Sequence, residues 1–225
     1  MAERVKTRRY DSPRRRAQAA ATRREILVAA QRLFERQGYA ATTMSAIAAE
    51  AGVALKTVYV AFDTKSGVLR ALWNLLLRGD RDDVPVAQQQ WYREVLDEHD
   101  PERQLRLNAS NSRRVKMRIG GVLEVIRSAA PADHDIEALW NRIQTEFHAN
   151  QGEIVKALDS RKALRPGLDV ARATDILWTL NNPDLWQLLV GRRGWTPEEY
   201  EQWFGDAACS QLLRPRTGKK PRKAR

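Results

Sequence analysis

The stretch Thr43–Lys65, TMSAIAAEAGVALKTVYVAFDTK, decides the fold. It reads as two short helices joined by a tight turn at Gly52. Ala48, Ala51, Val53, Val58 and Phe62 fall at spacings that bury one face, and Lys56, Thr57 and Tyr59 fall on the other. Small alanines let two helices approach closely, and a glycine just past the first helix supplies a left-handed C-cap without steric cost. This is the pattern of a helix-turn-helix (43–62), whose second helix can enter the DNA major groove.

The flanks extend the helical reading. From Thr22, Ile26, Leu27, Ala30, Leu33 and Phe34 recur at three- and four-residue spacing until Gly38 ends the run. Thr42, Thr43 and Ser45 offer hydroxyls to cap the next helix. A fourth helix follows from Lys65, with Val68, Leu69, Leu72, Trp73, Leu75 and Leu76 apolar, and closes at Gly79. Asp80 to Pro85 reads as a linker, and a short helix is expected around Trp91–Asp97. After Pro101 a helical region runs to Ala130, with Asn108–Ser112 and Gly120-Gly121 as candidate breaks or bends. Asp133 or Asp135 caps a long helix to about Arg161, carrying Leu139, Trp140, Ile143, Phe147, Ile154 and Leu158 on one face. Asp169 caps the next, Asn181-Asn182-Pro183 interrupts it, and Leu185–Val190 resumes. Thr196-Pro197-Glu198-Glu199 opens the last helix, which ends near Arg214. No segment alternates at period two for long, so the chain is read as all-α, with about nine or ten helices.

A chain of 225 residues with 43% apolar content can bury a real core in one or two domains. Its formal charge of +11 sits at the ends. Residues 1–24 hold nine Lys and Arg against two acids, residues 214–225 hold seven and no acid, and the body between is net −3. Basic tails suit phosphate attraction, which is sequence-blind and salt-sensitive, or serve solubility alone. The single cysteine, Cys209, excludes an intrachain disulfide and fits a reducing compartment. The charged N-terminus shows no signal peptide, and no apolar run is long enough to span a bilayer.

The first helix (REILVAAQRLFERQGYAATTM), then IAAEAGV, then TVYVAFDTKSGVL, resemble the TetR family of transcriptional regulators over about residues 21–81. The closing stretch PGLDVARATDILWTLNNPDLWQLLVGRRGWTPEEYEQWF also resembles the regulatory domain of actinobacterial-type members. The resemblance implies a disordered basic arm (1–20), a three-helix DNA-binding domain (21–81), a larger helical effector-binding and dimerisation domain (82–213), and a disordered basic tail (214–225). It implies a cytoplasmic, bacterial, nucleoid-associated repressor. Such a protein binds a palindromic operator as a homodimer and is released by a small apolar or aromatic effector. Two departures stand out: Ala54 where the family often has a capping Ser, and Ala61 where it often has His or Tyr.

The expected DNA contacts are Thr43, Ser45, Leu55, Lys56, Thr57, Tyr59 and Lys65. Lys56 can donate to guanine or to a phosphate, and Thr57 to either. Tyr59 reaches a phosphate, as in the family, or is a half-buried core aromatic. Thr43 and Ser45 stand at a helix N-terminus, where Thr43 is a phosphate ligand or only a cap. Lys65 matches a family phosphate contact. Arg8, Arg9 and Arg14–Arg16 are candidates for the minor groove.

Expected effector residues are Asn108, Trp140, Phe147, His148, Trp178 and Asn181, the aromatics among them being either pocket or core. The expected dimer seam, on 169–190 and 196–212, uses Trp178, Trp186, Leu189 and Trp203. His99, His134, His148 and Cys209 have no metal-ligand spacing, and no cofactor is implied. No Gly-rich phosphate loop, GxSxG, HExxH or Cys/His pair supports an enzyme. The rivals are a nucleoid-type binder with little sequence preference and a regulator whose second domain only dimerises.

Overall fold

Pro13 begins the first helix, α1 (Pro13–Ala41), nine residues earlier than the apolar periodicity indicates. Its fixed φ suits the first helical position, and the Arg- and Ala-rich run behind it has high helix propensity. Arg14, Arg15 and Arg16 therefore lie on a helix and not in a disordered arm. The computed structural model describes residues 13–79 and 85–215. The remainder of the N-terminal arm, the linker over 80–84 and the C-terminal tail over 216–225 lie outside the described residues. Among the described residues there is no strand, only an isolated antiparallel bridge between Leu164 and Leu213.

The chain divides into two compact units, 1–72 and 73–225. In the first, α1 is broken at Gly38, whose φ of 78° requires glycine. The Thr42 hydroxyl donates to the carbonyl Gly38 leaves open, at 2.8 Å. α2 (Met44–Glu50) is capped by Thr43, which accepts from the Ala46 amide. Gly52, at φ 66°, turns the chain into α3 (Leu55–Phe62). Ile26, Leu27, Ala30, Leu33 and Phe34 of α1 are buried, as are Ile47 and Ala48 of α2 and Val58 and Phe62 of α3. Val68, Leu69 and Leu72 from the start of α4 (Lys65–Arg78) are buried too. The boundary between the units falls inside α4.

The second unit is built on α6 (Pro101–Ala129), with α10 (Pro197–Leu212) packed along it and α5 (Gln90–Asp97) and α7 (His134–Ser160) against it. α8 (Val170–Leu180) packs on α7 and α10. α9 (Pro183–Trp186) continues into a π-helical turn over 187–192. Side chains the sequence marks as caps serve as caps: Asp133 and Asp169 each accept from amides of the first turn, and Thr196 with Glu199 forms a reciprocal capping box. Asp100 caps α6 in the same way, just ahead of the N1 proline Pro101. Asn182 caps α9.

α6 is unbroken through Asn108–Ser112 and Gly120-Gly121. Asn108, Asn111 and Ser112 are buried on one face with hydrogen-bond partners, so their polarity does not interrupt the ladder. A Cβ on Gly120 would meet the Trp186 indole nitrogen at 3.9 Å, so that glycine lies beside Trp186.

Gly67 is the glycine that space demands. A Cβ there would lie 2.2 Å from the Phe62 carbonyl oxygen, a backbone atom that cannot swing aside. Gly67→Ala is expected to lower unfolding free energy by about 1–3 kcal/mol by overpacking the α3–α4 junction, as denaturant unfolding of the full chain would show.

Candidate nucleic-acid interface and effector cavity

α3 is short, so its position rests on its neighbours. Val58 and Phe62 sink into the first unit's core. At its C-terminal end, Arg23 of α1 donates to the Ala61 carbonyl at 2.7 Å and stacks its guanidinium 4.2 Å above the Phe62 ring. A cation on the last carbonyls complements the helix dipole. Asp63 leaves the helix at φ 64°, and Thr64 caps α4 by accepting from the Gly67 amide. The N-terminal end is bare: Ala54 makes no side-chain cap. The departure from the family's Ser thus leaves the start of α3 without a side-chain cap, held there by the Thr57 amide on the Ala54 carbonyl at 2.8 Å.

The opposite face of α3 is exposed and carries no acid. Lys56 is exposed, Leu55 is 39% exposed and Tyr59 49%, so Tyr59 is not a core aromatic. Thr57 is half-buried. Val60, which the sequence reading passed over, is 79% exposed. It stands one helical turn beyond Lys56, on the same face. Ser45 is exposed at the start of α2, while the Thr43 hydroxyl serves as its cap. Lys65 is engaged within its own unit: its ammonium donates to the Tyr39 carbonyl at 2.8 Å and sits 4.1 Å above the Tyr39 ring.

In the second unit a cavity of about 110 Å³ lies between α5, α6, α7 and the segment after α8. Three expected effector residues line it: Asn108, Phe147 and Asn181. The other three do not. Trp140 borders a smaller recess beside Trp186. His148 is at the surface, bonded to Asp175 at 3.0 Å and edge-on to Trp178. Trp178 packs beside it, with its indole N–H buried and without a partner. Trp186, an expected dimer residue, is buried in this unit's own core, edge-on to Tyr200 at 5.0 Å. Leu189 and Trp203 are partly buried against that core, and Leu188 is 46% exposed.

The residue the sequence reading missed is Lys116. It is 6% exposed and lines the cavity. Its ammonium donates to Ser112 Oγ at 2.7 Å, to the Asn181 carbonyl at 2.9 Å, to Asn181 Oδ1, and to Tyr200 Oη at 3.1 Å. Asn108 and Asn181 both donate to Gln151 Oε1 at 3.4 Å. The pattern was present in the sequence: Asn108, Ser112 and Lys116 recur every four residues on one stripe of α6, continued by the apolar Ile119 and Leu123. Burial pushes the Lys116 ammonium well below its ordinary pKa.

An exposed, acid-free helix held in a helix-turn-helix defines a DNA-binding domain, here joined to a larger helical unit that holds a cavity. The family model described as "Bacterial regulatory proteins, tetR family" matches residues 26–72. No curated protein sequence matches the chain. Among solved structures, the native form of NalD, described as the secondary repressor of the MexAB-OprM multidrug efflux pump in Pseudomonas aeruginosa, is 22% identical. The match covers 89% of this chain and all of NalD, at a TM-score of 0.67. A SmeT–triclosan complex is 20% identical over 89% of this chain and 98% of that one, at a TM-score of 0.67. A transcriptional regulator from Saccharomonospora viridis in complex with choline is 19% identical over 86% and 98%, at a TM-score of 0.66. Residues 26–72 thus match the tetR-family model, and the chain as a whole shares the fold of these solved regulators.

The Lys116 environment gives a pH signature. Because the folded state releases this proton at lower pH than the unfolded chain, the unfolded chain binds more protons between the two pKa values. Stability therefore rises with pH through that window and levels off above the ordinary lysine value of 10.5. Lys116→Met is expected to remove this rise, so its stability advantage over the parent shrinks as pH climbs from neutral. Denaturant unfolding of both chains across that range checks the sign.

Proposed function

We propose that the protein is a repressor that binds a palindromic operator as a homodimer and is released by a small molecule bound in the second unit. The observation that carries the DNA reading is the exposed face of α3, where Lys56, Tyr59 and Val60 present a cation, a hydroxyl and an apolar tip with no acid between them. In this reading Lys56 and Thr57 reach base edges, Val60 and Leu55 meet thymine methyl groups, and Tyr59 and Ser45 donate to phosphates. Lys65, anchored on Tyr39, adds positive charge at the edge of the face. One such unit makes few base contacts. A two-fold dimer doubles them and sets half-sites about 34–36 Å apart or a multiple of it.

The dimer seam is assigned to the outer faces of α8 and α10, with Trp178, Leu189 and Trp203 joined by the exposed Leu188. Trp186 is left out because it is committed to its own core. The effector site is assigned to the cavity lined by Asn108, Phe147 and Asn181. Solved members of this fold include complexes with triclosan and with choline, which supports a ligand-responsive second unit. An effector acts only if it prefers the conformation that does not fit DNA. α4, shared by both units, is the element available to carry that preference. Steric block of polymerase is the simplest form of repression, and the bacterial cytoplasm is the proposed setting.

Selection from a random duplex library at near-physiological salt tests the operator reading. One enriched palindrome is expected; loss of all enrichment, with binding that vanishes as salt rises, would favour non-specific binding. On the enriched duplex, Lys56→Ala is expected to weaken binding roughly tenfold. Tyr59→Phe should weaken it roughly three- to tenfold, through one lost phosphate bond.

A further inference from the structure

We propose that the cavity of the second unit takes a small organic anion, a carboxylate or comparable oxyanion on a short apolar chain, with Lys116 as its counter-ion. The proposal rests on the reading of that cavity as the effector site and names the chemical class of the effector.

Every polar atom that holds Lys116 is neutral: a serine hydroxyl, an asparagine carbonyl and amide oxygen, and a tyrosine hydroxyl. Among the described residues, no carboxylate is a partner of Lys116. The nearby rings of Tyr200 and Phe204, at 5.0 and 5.8 Å, add only a weak cation–π term. A lysine buried to this extent normally brings an acid with it, because an unpaired buried charge is costly. If the role of Lys116 were only to tie α6 to the segment after α8, a glutamine could donate to the same oxygens without a charge. The cation is instead placed in the wall of a cavity.

The rest of the lining matches an anion with an apolar body. Asn108, Gln151 and Asn181 are each buried and gather at the Lys116 end. The Gln151 amide nitrogen donates to none of the described residues, and it lines the same space. Ile119, Leu123, Ile143 and Phe147 furnish the apolar remainder. At a lysine buried to this extent the attraction for an oxyanion is stronger than in water. The anion also restores the ammonium form that burial alone disfavours. By the same argument a cationic ligand is rejected. The volume, about 110 Å³, is smaller than the roughly 150 Å³ of an apolar cavity known to hold benzene, so it suits a short chain of a few carbons and not a substituted ring.

The test uses three probes of nearly one shape: butyrate, butyramide and butylamine. Each is titrated into the full chain by calorimetry and by total tryptophan fluorescence, to which Trp91 in the cavity lining contributes. The expected order is carboxylate first, at least ~10-fold tighter than the amide, with no saturable binding of the amine. In Lys116→Met, with folding checked by thermal unfolding, carboxylate and amide are expected to bind within about threefold of each other. Wild-type binding in which the amide or the amine equals or exceeds the carboxylate would overturn the anion assignment and leave the effector site standing. Absence of saturable binding by all three would overturn both. The wild-type order decides the matter even if the variant fails to fold.

Discussion

The anchoring of α3 is the constraint on which the first unit depends. A helix of eight residues has almost no stability of its own, so it is held where it is only by what it touches. Val58 and Phe62 face inward, Arg23 clamps the last carbonyls, and the junction through Asp63, Thr64 and Gly67 leaves no slack before α4. With its inner face and its C-terminal end thus engaged, the outer face is left to Lys56, Tyr59 and Val60. The same contacts that bury one side are what present the other at a fixed angle, as reading a groove requires. The bare N-terminal end, where Ala54 gives no cap, is the loose point of the arrangement.

The second unit is organised around an opposite kind of feature. Its core is ordinary, with α6, α7, α8 and α10 meeting over leucine, isoleucine and aromatic side chains. Within it, however, α6 carries a polar stripe ending in a buried cation. A stripe of that kind runs against the apolar pattern of a packed helix and adds nothing to stability that an apolar stripe would not supply. Sites at which local rules are broken are where function is to be sought. The cavity beside Lys116 is the feature on which the proposed ligand site rests.

Much of this was legible in the sequence because the residues that make turns and caps do so by local chemistry. Gly38 and Gly52 needed positive φ, and Asp133, Asp169 and Thr196 had first-turn amides within reach. The exposed face of α3 followed from the period of its apolar residues. What the sequence hid were outcomes of tertiary packing. Asn108–Ser112 resembled a break because polar residues favour turns, yet buried partners satisfied them within the helix. Trp186 resembled a surface anchor because the segment held more aromatics than one core seemed to need, yet Tyr200 and the open space at Gly120 accommodate it. Lys116 was not singled out: its four-residue spacing from Ser112 and Asn108 gives a shared face but not whether that face is buried. The early start of α1 was missed because arginine and alanine have no apolar period, only propensity.

The most direct measurement is a hydroxyl-radical footprint of the full chain on the duplex it selects. A dimer reading DNA through α3 predicts two protected patches related by a two-fold axis, centred about one helical turn or a multiple of it apart. A single protected patch, or diffuse protection that follows salt and ignores sequence, would contradict a symmetric, site-specific regulator.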